Sequence, residues 1–310
     1  MKFFLPNARA LSTATGGAFA ALLVSFGSLA HGQGYTTTFD PSEGYQANYT
    51  LSDQLGWVTN DESTGATIPG NANIGIGQSD FVGILGGYSA SGSDYWGLLG
   101  GGERPYAVPG TSPVYLDHPF NVAGSASYNF NVQFSISSSA TPYPNNDSFA
   151  WSFGTASNPT LFSIDYAPTT VVIGGISTTV DSVRYSVNGV QTPTGEAITQ
   201  NTSFQLSVAV NVTGKSFGFS MTPTVAGASL PIVENGISLG TLDPSTVTQV
   251  AATWILSNTA ADANGGLENG GSNSLLFNNY SVTVPEPSTW VMLGLGTVAL
   301  LVMIRRKARA

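Results

Sequence analysis

Tyr128-Asn129-Phe130-Asn131-Val132-Gln133-Phe134-Ser135-Ile136 alternates without interruption. Five apolar side chains fall on one side of an extended chain and four polar ones on the other. A helix would scatter the same residues around its circumference. Phe204-Gln205-Leu206-Ser207-Val208-Ala209-Val210-Asn211-Val212 repeats the pattern, as do Phe149, Trp151 and Phe153, then Phe162, Ile164 and Tyr166. Further along, Val250, Ala252, Trp254 and Leu256 alternate, and Tyr280-Ser281-Val282-Thr283-Val284 reads as a last strand.

Turn chemistry joins these segments. Tyr185-Ser186-Val187 runs into Asn188-Gly189, the dipeptide favoured where both central turn residues need positive φ. Val212-Thr213-Gly214-Lys215 leads into Phe217-Gly218-Phe219-Ser220-Met221, a second hairpin. One-sided alternation across many strands needs a second apolar sheet to cover it. The sequence therefore predicts an all-β, two-sheet β-sandwich of jelly-roll type. Residues 31–120 are richer in Gly and less regular, and supply either opening strands or a smaller cap.

Composition agrees. Of 310 residues, 42% are hydrophobic and 9% charged, with 37 Gly and 17 Pro. So little charge is unlike a helical bundle, whose outer faces need Lys and Glu. Zero Cys excludes thiol catalysis, zinc–thiolate sites and disulfides, and two His leave little for a His-rich metal site. The net charge is −9, with most bases at the two ends. Residues 31–284 hold three bases (Arg104, Arg184, Lys215) against 17 acids, a net of −14. Such a surface repels phosphate backbones, so no nucleic-acid partner is expected.

The ends read as addresses. Lys2 and Arg9 precede an apolar run, Gly16 to Leu29, closing in Ser28-Leu29-Ala30. This is the pattern of a signal peptide, residues 1–30, cut after Ala30 by the export machinery. At the far end, Pro285-Glu286-Pro287 is followed by Ser288-Thr289, the uncharged run Trp290 to Ile304, and Arg305-Arg306-Lys307. Fifteen helical residues give about 22 Å, short of a hydrocarbon core of about 30 Å. Ser288, Thr289 and snorkelling arginines extend the reach. The sequence thus predicts a single transmembrane helix at 288–304 and a cytoplasmic basic tail at 305–310.

Pro285-Glu286-Pro287, a short apolar helix and the basic cluster, in that order, resemble the PEP-CTERM sorting segment of Gram-negative surface proteins. The resemblance covers residues 285–310. It implies an exosortase-type sorting protease as partner, with transient anchoring and release to the cell surface or extracellular polymer matrix. The middle, 31–284, resembles concanavalin A-like and laminin-G-like sandwiches. The similarity rests on Asp147-Ser148-Phe149-Ala150-Trp151, Phe162 to Tyr166, Val183 to Gly189, Phe204 to Val212 and Leu276 to Tyr280.

Chemistry is sparse. Asp117 beside His118 invites a relay, but strand neighbours point to opposite faces and no Gly-x-Ser-x-Gly elbow exists; the pair is expected in a loop. No Glu-x-Glu or Glu-x-Asp-x-Glu run supplies a glycosidase pair. Asp262, Asn264 and Glu268 offer hard oxygen ligands for calcium, as does Asn145-Asn146-Asp147, yet neither run has EF-hand spacing. No cofactor is expected beyond that one calcium option. Tyr88, Tyr95, Trp96, Tyr106 and Tyr115 are expected to pack as core more than to stack on sugars. The expectation is an exported, non-catalytic envelope or matrix protein. The alternative is a carbohydrate-binding adhesin contacting extracellular polysaccharide, and a glycan hydrolase ranks behind both.

Overall fold

A computed structural model describes residues 34–45, 51, 54–59, 82–86, 95–100, 113–137, 146–225, 231–255 and 273–285. Its strands are β1 (Tyr35–Thr37), β2 (Val58–Thr59), β3 (Val82–Gly86), β4 (Tyr95–Gly100), β5 (Val114–Pro119), β6 (Ser127–Ile136) and β7 (Ser148–Thr155). After these come β8 (Asn158–Ile173), β9 (Ile176–Val187), β10 (Val190–Thr199), β11 (Ser203–Asn211), β12 (Ser216–Pro223), β13 (Ile232–Ser238), β14 (Gln249–Ile255) and β15 (Ser274–Thr283). Two short 3-10 turns, Pro41–Glu43 and Pro244–Thr246, are capped by the side chains of Asp40 and Asp243.

Two antiparallel sheets form a sandwich. An eight-stranded sheet runs β13-β12-β11-β6-β15-β4-β3, with β1 added on β15. A seven-stranded sheet runs β10-β9-β8-β7-β14-β5-β2. Strands from the irregular N-terminal part, β1 to β5, enter both sheets.

The alternation quoted above sorts the two faces as expected. Tyr128, Phe130, Val132, Phe134 and Ile136 of β6 are buried, and Phe204, Leu206, Val208 and Val210 of β11 beside them are too. Phe149, Trp151 and Phe153 meet them from the opposite sheet. Phe130 lies 5.2 Å from Trp151 and 5.6 Å from Phe153 between ring centroids. Phe153 stacks on Phe162 at 4.5 Å, and Phe162 packs on Phe217 at 4.7 Å. Such ring pairs add roughly 0.5–1.5 kcal/mol each beyond their burial.

Polar bonds tie the layers together. The Tyr280 hydroxyl on β15 crosses the core and donates to the Val250 carbonyl of β14 at 2.8 Å. At one end, Asp147 is held by Asn273, which accepts from the Asp147 N–H and donates to its carbonyl, both at 2.8 Å. Its carboxylate accepts from Trp254 Nε1 at 2.7 Å.

The Asn188-Gly189 hairpin forms as read, with φ of 51° and 77° and Val187 opposite Val190. The second hairpin also forms, between β11 and β12, but Val212 belongs to the turn and not to the strand. Its N–H donates to the Ala126 carbonyl instead. Among the described residues, no helix is long and apolar enough to cross a membrane. Ala30, the helix at 288–304, Glu286, Pro287, Arg305, Arg306 and Lys307 lie outside the described residues, as does the calcium option Asp262, Asn264 and Glu268.

Candidate functional site

The polar halves of the alternating strands meet on the outer face of the eight-stranded sheet. Register places Thr283, Asn129, Ala209 and Gly218 in one row across β15, β6, β11 and β12. The next row is Ser281, Asn131, Ser207, Ser220 and Val233. Because Ala209 and Gly218 are the smallest members, the sheet surface dips between their longer neighbours. The result is an open groove of about 480 Å³, walled also by Asn211, Ser216 and Asn235. Gly218 is required there. A Cβ on it would sit 2.9 Å from the Glu234 carbonyl oxygen, where a bulge brings β13 against β12.

The groove carries amides and hydroxyls and no charged side chain among its lining residues. Asn side chains both donate and accept, as do Ser and Thr hydroxyls, so the surface can pair with vicinal hydroxyls of a neutral ligand. It has no stacking platform. Phe217 and Phe219 are buried toward the core, and contribute no ring to the groove. Hydrogen bonding without stacking gives weak, extended contact in place of a tight pocket.

The outer face of the seven-stranded sheet differs. One row reads Asp117, Ala251, Ser152, Ser163, Ser186 and Gln191; a second reads Tyr115, Thr253, Ala150, Asp165, Arg184 and Pro193. Although they face away from the core, Asp117, Ser152, Ser163, Asp165 and Ser186 are buried. Burial pushes the Asp117 carboxyl up to about 7. It also raises Asp165, against the pull of a 2.7 Å hydrogen bond from Ser163 and the charge of Arg184. Asp117 and Asp165 stand on strands three steps apart, roughly 14 Å at the usual strand spacing. Glycosidase carboxyls work at roughly 5 to 9.5 Å.

His118 corrects one expectation. It lies in strand β5, not in a loop, because it continues the pairing with Val250 of β14. Asp117 indeed projects to the other face, so no relay forms between them. His118 Nε2 donates to the Leu55 carbonyl at 3.1 Å, and its ring stacks on Tyr35 at 3.5 Å. Burial holds its pKa below the ordinary value. Tyr35, Tyr45 and Trp57 complete this corner through their hydroxyls and the Trp57 Nε1, which donates to Tyr45 at 2.9 Å.

Of the aromatic group, Trp96 is buried and Tyr115 half-buried, its hydroxyl 3.4 Å from Thr160 Oγ1. Tyr88, Tyr106 and the Tyr95 side chain lie outside the described residues. Sequence reasoning singled out none of the groove residues. Their signal was the polar phase of β6 and β11, which registers as a site only once strand pairing sets Asn131 beside Ser207.

Residues 283–307 match the PEP-CTERM protein-sorting motif, the mark of exported, surface-sorted proteins. No curated protein sequence matches the chain. Solved structures of similar course include the basic winged bean lectin with Tn-antigen, 11% identical over 82% of this chain and 99% of that one, TM-score 0.42. Arcelin-5, a lectin-like defense protein from Phaseolus vulgaris, is 11% identical over 83% and 100%, TM-score 0.41. The catalytic domain of the glycoside hydrolase family 131 protein from Coprinopsis cinerea is 12% identical over 81% and 95%, TM-score 0.42.

Proposed function

We propose that this protein is a non-catalytic β-sandwich of the cell envelope or extracellular matrix, held briefly by its C-terminal helix and released by an exosortase-type protease. One observation carries the reading: the sorting motif starts at residue 283, where β15 makes its last pair, Thr283 with Asn129. A cut near Pro285-Glu286-Pro287 therefore removes none of the described strands and none of the described core residues. The folded body leaves intact, and the anchor stays behind. Mass spectrometry of the mature protein from its native host tests this. An N-terminus near His31 and a C-terminus between Pro285 and Pro287 are expected; a mature chain ending in intact Arg305 to Arg309 overturns the release step.

The neutral groove favours a second role, low-affinity contact with uncharged extracellular polysaccharide. Asn131 and Ser207 stand at its centre, and Asn131→Asp places a charge there without changing size. Retention of the exported protein on its host's neutral polysaccharide is expected to drop at least several-fold in that variant. Equal retention of both forms, or none of either, removes this role and leaves the sorting reading in place.

A further inference from the structure

We propose that the β8–β9 hairpin is a self-association arm, through which two copies of this chain pair edge to edge. β8 and β9 continue as a two-stranded ribbon beyond the sandwich. β7 stops pairing with β8 at Tyr166, and β10 stops pairing with β9 at Val180. The ribbon closes at Gly174-Gly175, with φ of 60° and 85°. From Tyr166 to Ile173 it projects roughly 20 Å at the usual rise per residue.

Two of the described end strands are guarded: β10 carries Pro193, Glu196 and a bulge between Pro193 and Ala197, and β13 carries Glu234 and a bulge opposite Gly218. At the other ends stand the two-residue β2 and the five-residue β3, which are shorter than the ribbon and carry neither charge nor proline. Charge, proline and bulges are the usual means of stopping strands from pairing with other chains. Along the ribbon no residue from Tyr166 to Val180 is charged, and Pro168 at its base is the lone proline. Val172 and Ile176 are 70% and 71% exposed.

The partner follows from charge. Two copies whose bodies each carry net −14 between residues 31 and 284 repel wherever acids meet. The uncharged ribbon is a projecting place where they approach without that cost. It is also complementary to itself. Both turn glycines have positive φ, as a type I′ turn requires, so Ile173 and Ile176 form the first hydrogen-bonded pair. Pairs then alternate, which turns the N–H and C=O of Val172 and Thr170 outward. In a two-fold antiparallel contact centred on Val171, Val172 of each copy meets Thr170 of the other with reciprocal hydrogen bonds. The two Val171 residues then face each other as a non-hydrogen-bonded pair, Cα atoms about 4.5 Å apart.

The contact has a direction. Asn273, just before β15, bonds Asp147, just before β7, so both strands begin at the same end of the sandwich. Tyr166 pairs Phe149 at that end, and the ribbon extends beyond it. β15 exits at the opposite end, toward residue 285. Paired copies thus carry the ends of their β15 strands at the far ends of the assembly, which suits a link between molecules from facing surfaces.

The chain has no cysteine, so a single introduced thiol has a clean background. The spacing above falls within disulfide range. Full-length Val171→Cys, purified in detergent and oxidised, is expected to run mainly as a disulfide-linked dimer. Val190→Cys, at a site 69% exposed on β10, serves as the control for random collision. Adding Val172→Pro removes one outward N–H and no hairpin bond, and is expected to abolish the dimer. Val172→Lys, which keeps the backbone intact, is expected to cut the yield at least five-fold. Crosslinking of Val171→Cys no greater than that of Val190→Cys, or unchanged by Val172→Lys, overturns the proposal.

Discussion

Asp117 offers the sharpest test of the packing. Its carboxyl lies in the polar row on the outer face of the seven-stranded sheet, buried, with its pKa raised from 3.8 to about 7. In the unfolded chain the same carboxyl titrates near its ordinary value. Between those limits the folded state holds a proton that the unfolded state has lost, so stability falls as pH rises. The contribution is complete below about pH 3.8 and is lost progressively as pH rises through about 7. Three units at about 1.36 kcal/mol each give about 4 kcal/mol as a ceiling. Water admitted to the ionised site lowers this toward about 2 kcal/mol. Asp181, raised to about 6 by burial, adds a slope of the same sign. His118, held below its ordinary value by burial, acts in the opposite sense. The difference between wild type and Asp117→Asn cancels these neighbours, because the amide has no proton to lose. Urea unfolding of both proteins between pH 4.5 and 8 measures it. Wild type is expected to lose about 2–3 kcal/mol more than the variant over that range. Parallel pH profiles, or a wild type that gains stability relative to the variant, refute the burial argument for Asp117.

Three further outcomes follow from the core and the loops. Tyr280→Phe deletes the donor to the Val250 carbonyl that spans the sandwich, and is expected to cost about 1–3 kcal/mol in urea unfolding. Phe130→Ala empties the contact among Trp151, Phe153 and Tyr280, and is expected to cost about 3–5 kcal/mol. Chelation with EDTA is expected to leave the thermal midpoint unchanged within a degree or so. A fall of several degrees, restored by calcium alone, would point back to Asp262, Asn264 and Glu268.

Much of this architecture was legible because burial on one face imposes a period of two. β6, β11 and β12 announce themselves that way, and Asn188-Gly189 fixes a hairpin through its own backbone preference. β7 and β14 were half legible. Their second faces, Ala150, Ser152, Ala251 and Thr253, are buried as well, so their small polar residues mimic a solvent-facing phase. β8 was read only through Tyr166, since Ala167-Pro168 resembles a strand end. In the fold the strand runs on to Ile173, because among the described residues no strand beside Pro168 on the β7 side asks for its missing N–H.

The groove shows a different limit. Asn131 and Ser207 are 76 positions apart in the sequence, and nothing local to either distinguishes them from ordinary solvated strand residues. What makes them a surface is the pairing of β6 with β11, and that pairing is set by the opposite face, where Phe130 and Val208 must both be buried. A shift by one residue would expose the aromatic face and destroy the core. The polar lattice is therefore held in place by hydrophobic packing that it never touches. The same logic bears on the proposed release step: β15 completes its register at Thr283, before the first proline of the sorting segment, so the described pairing that holds the lattice ends where the sorting motif begins.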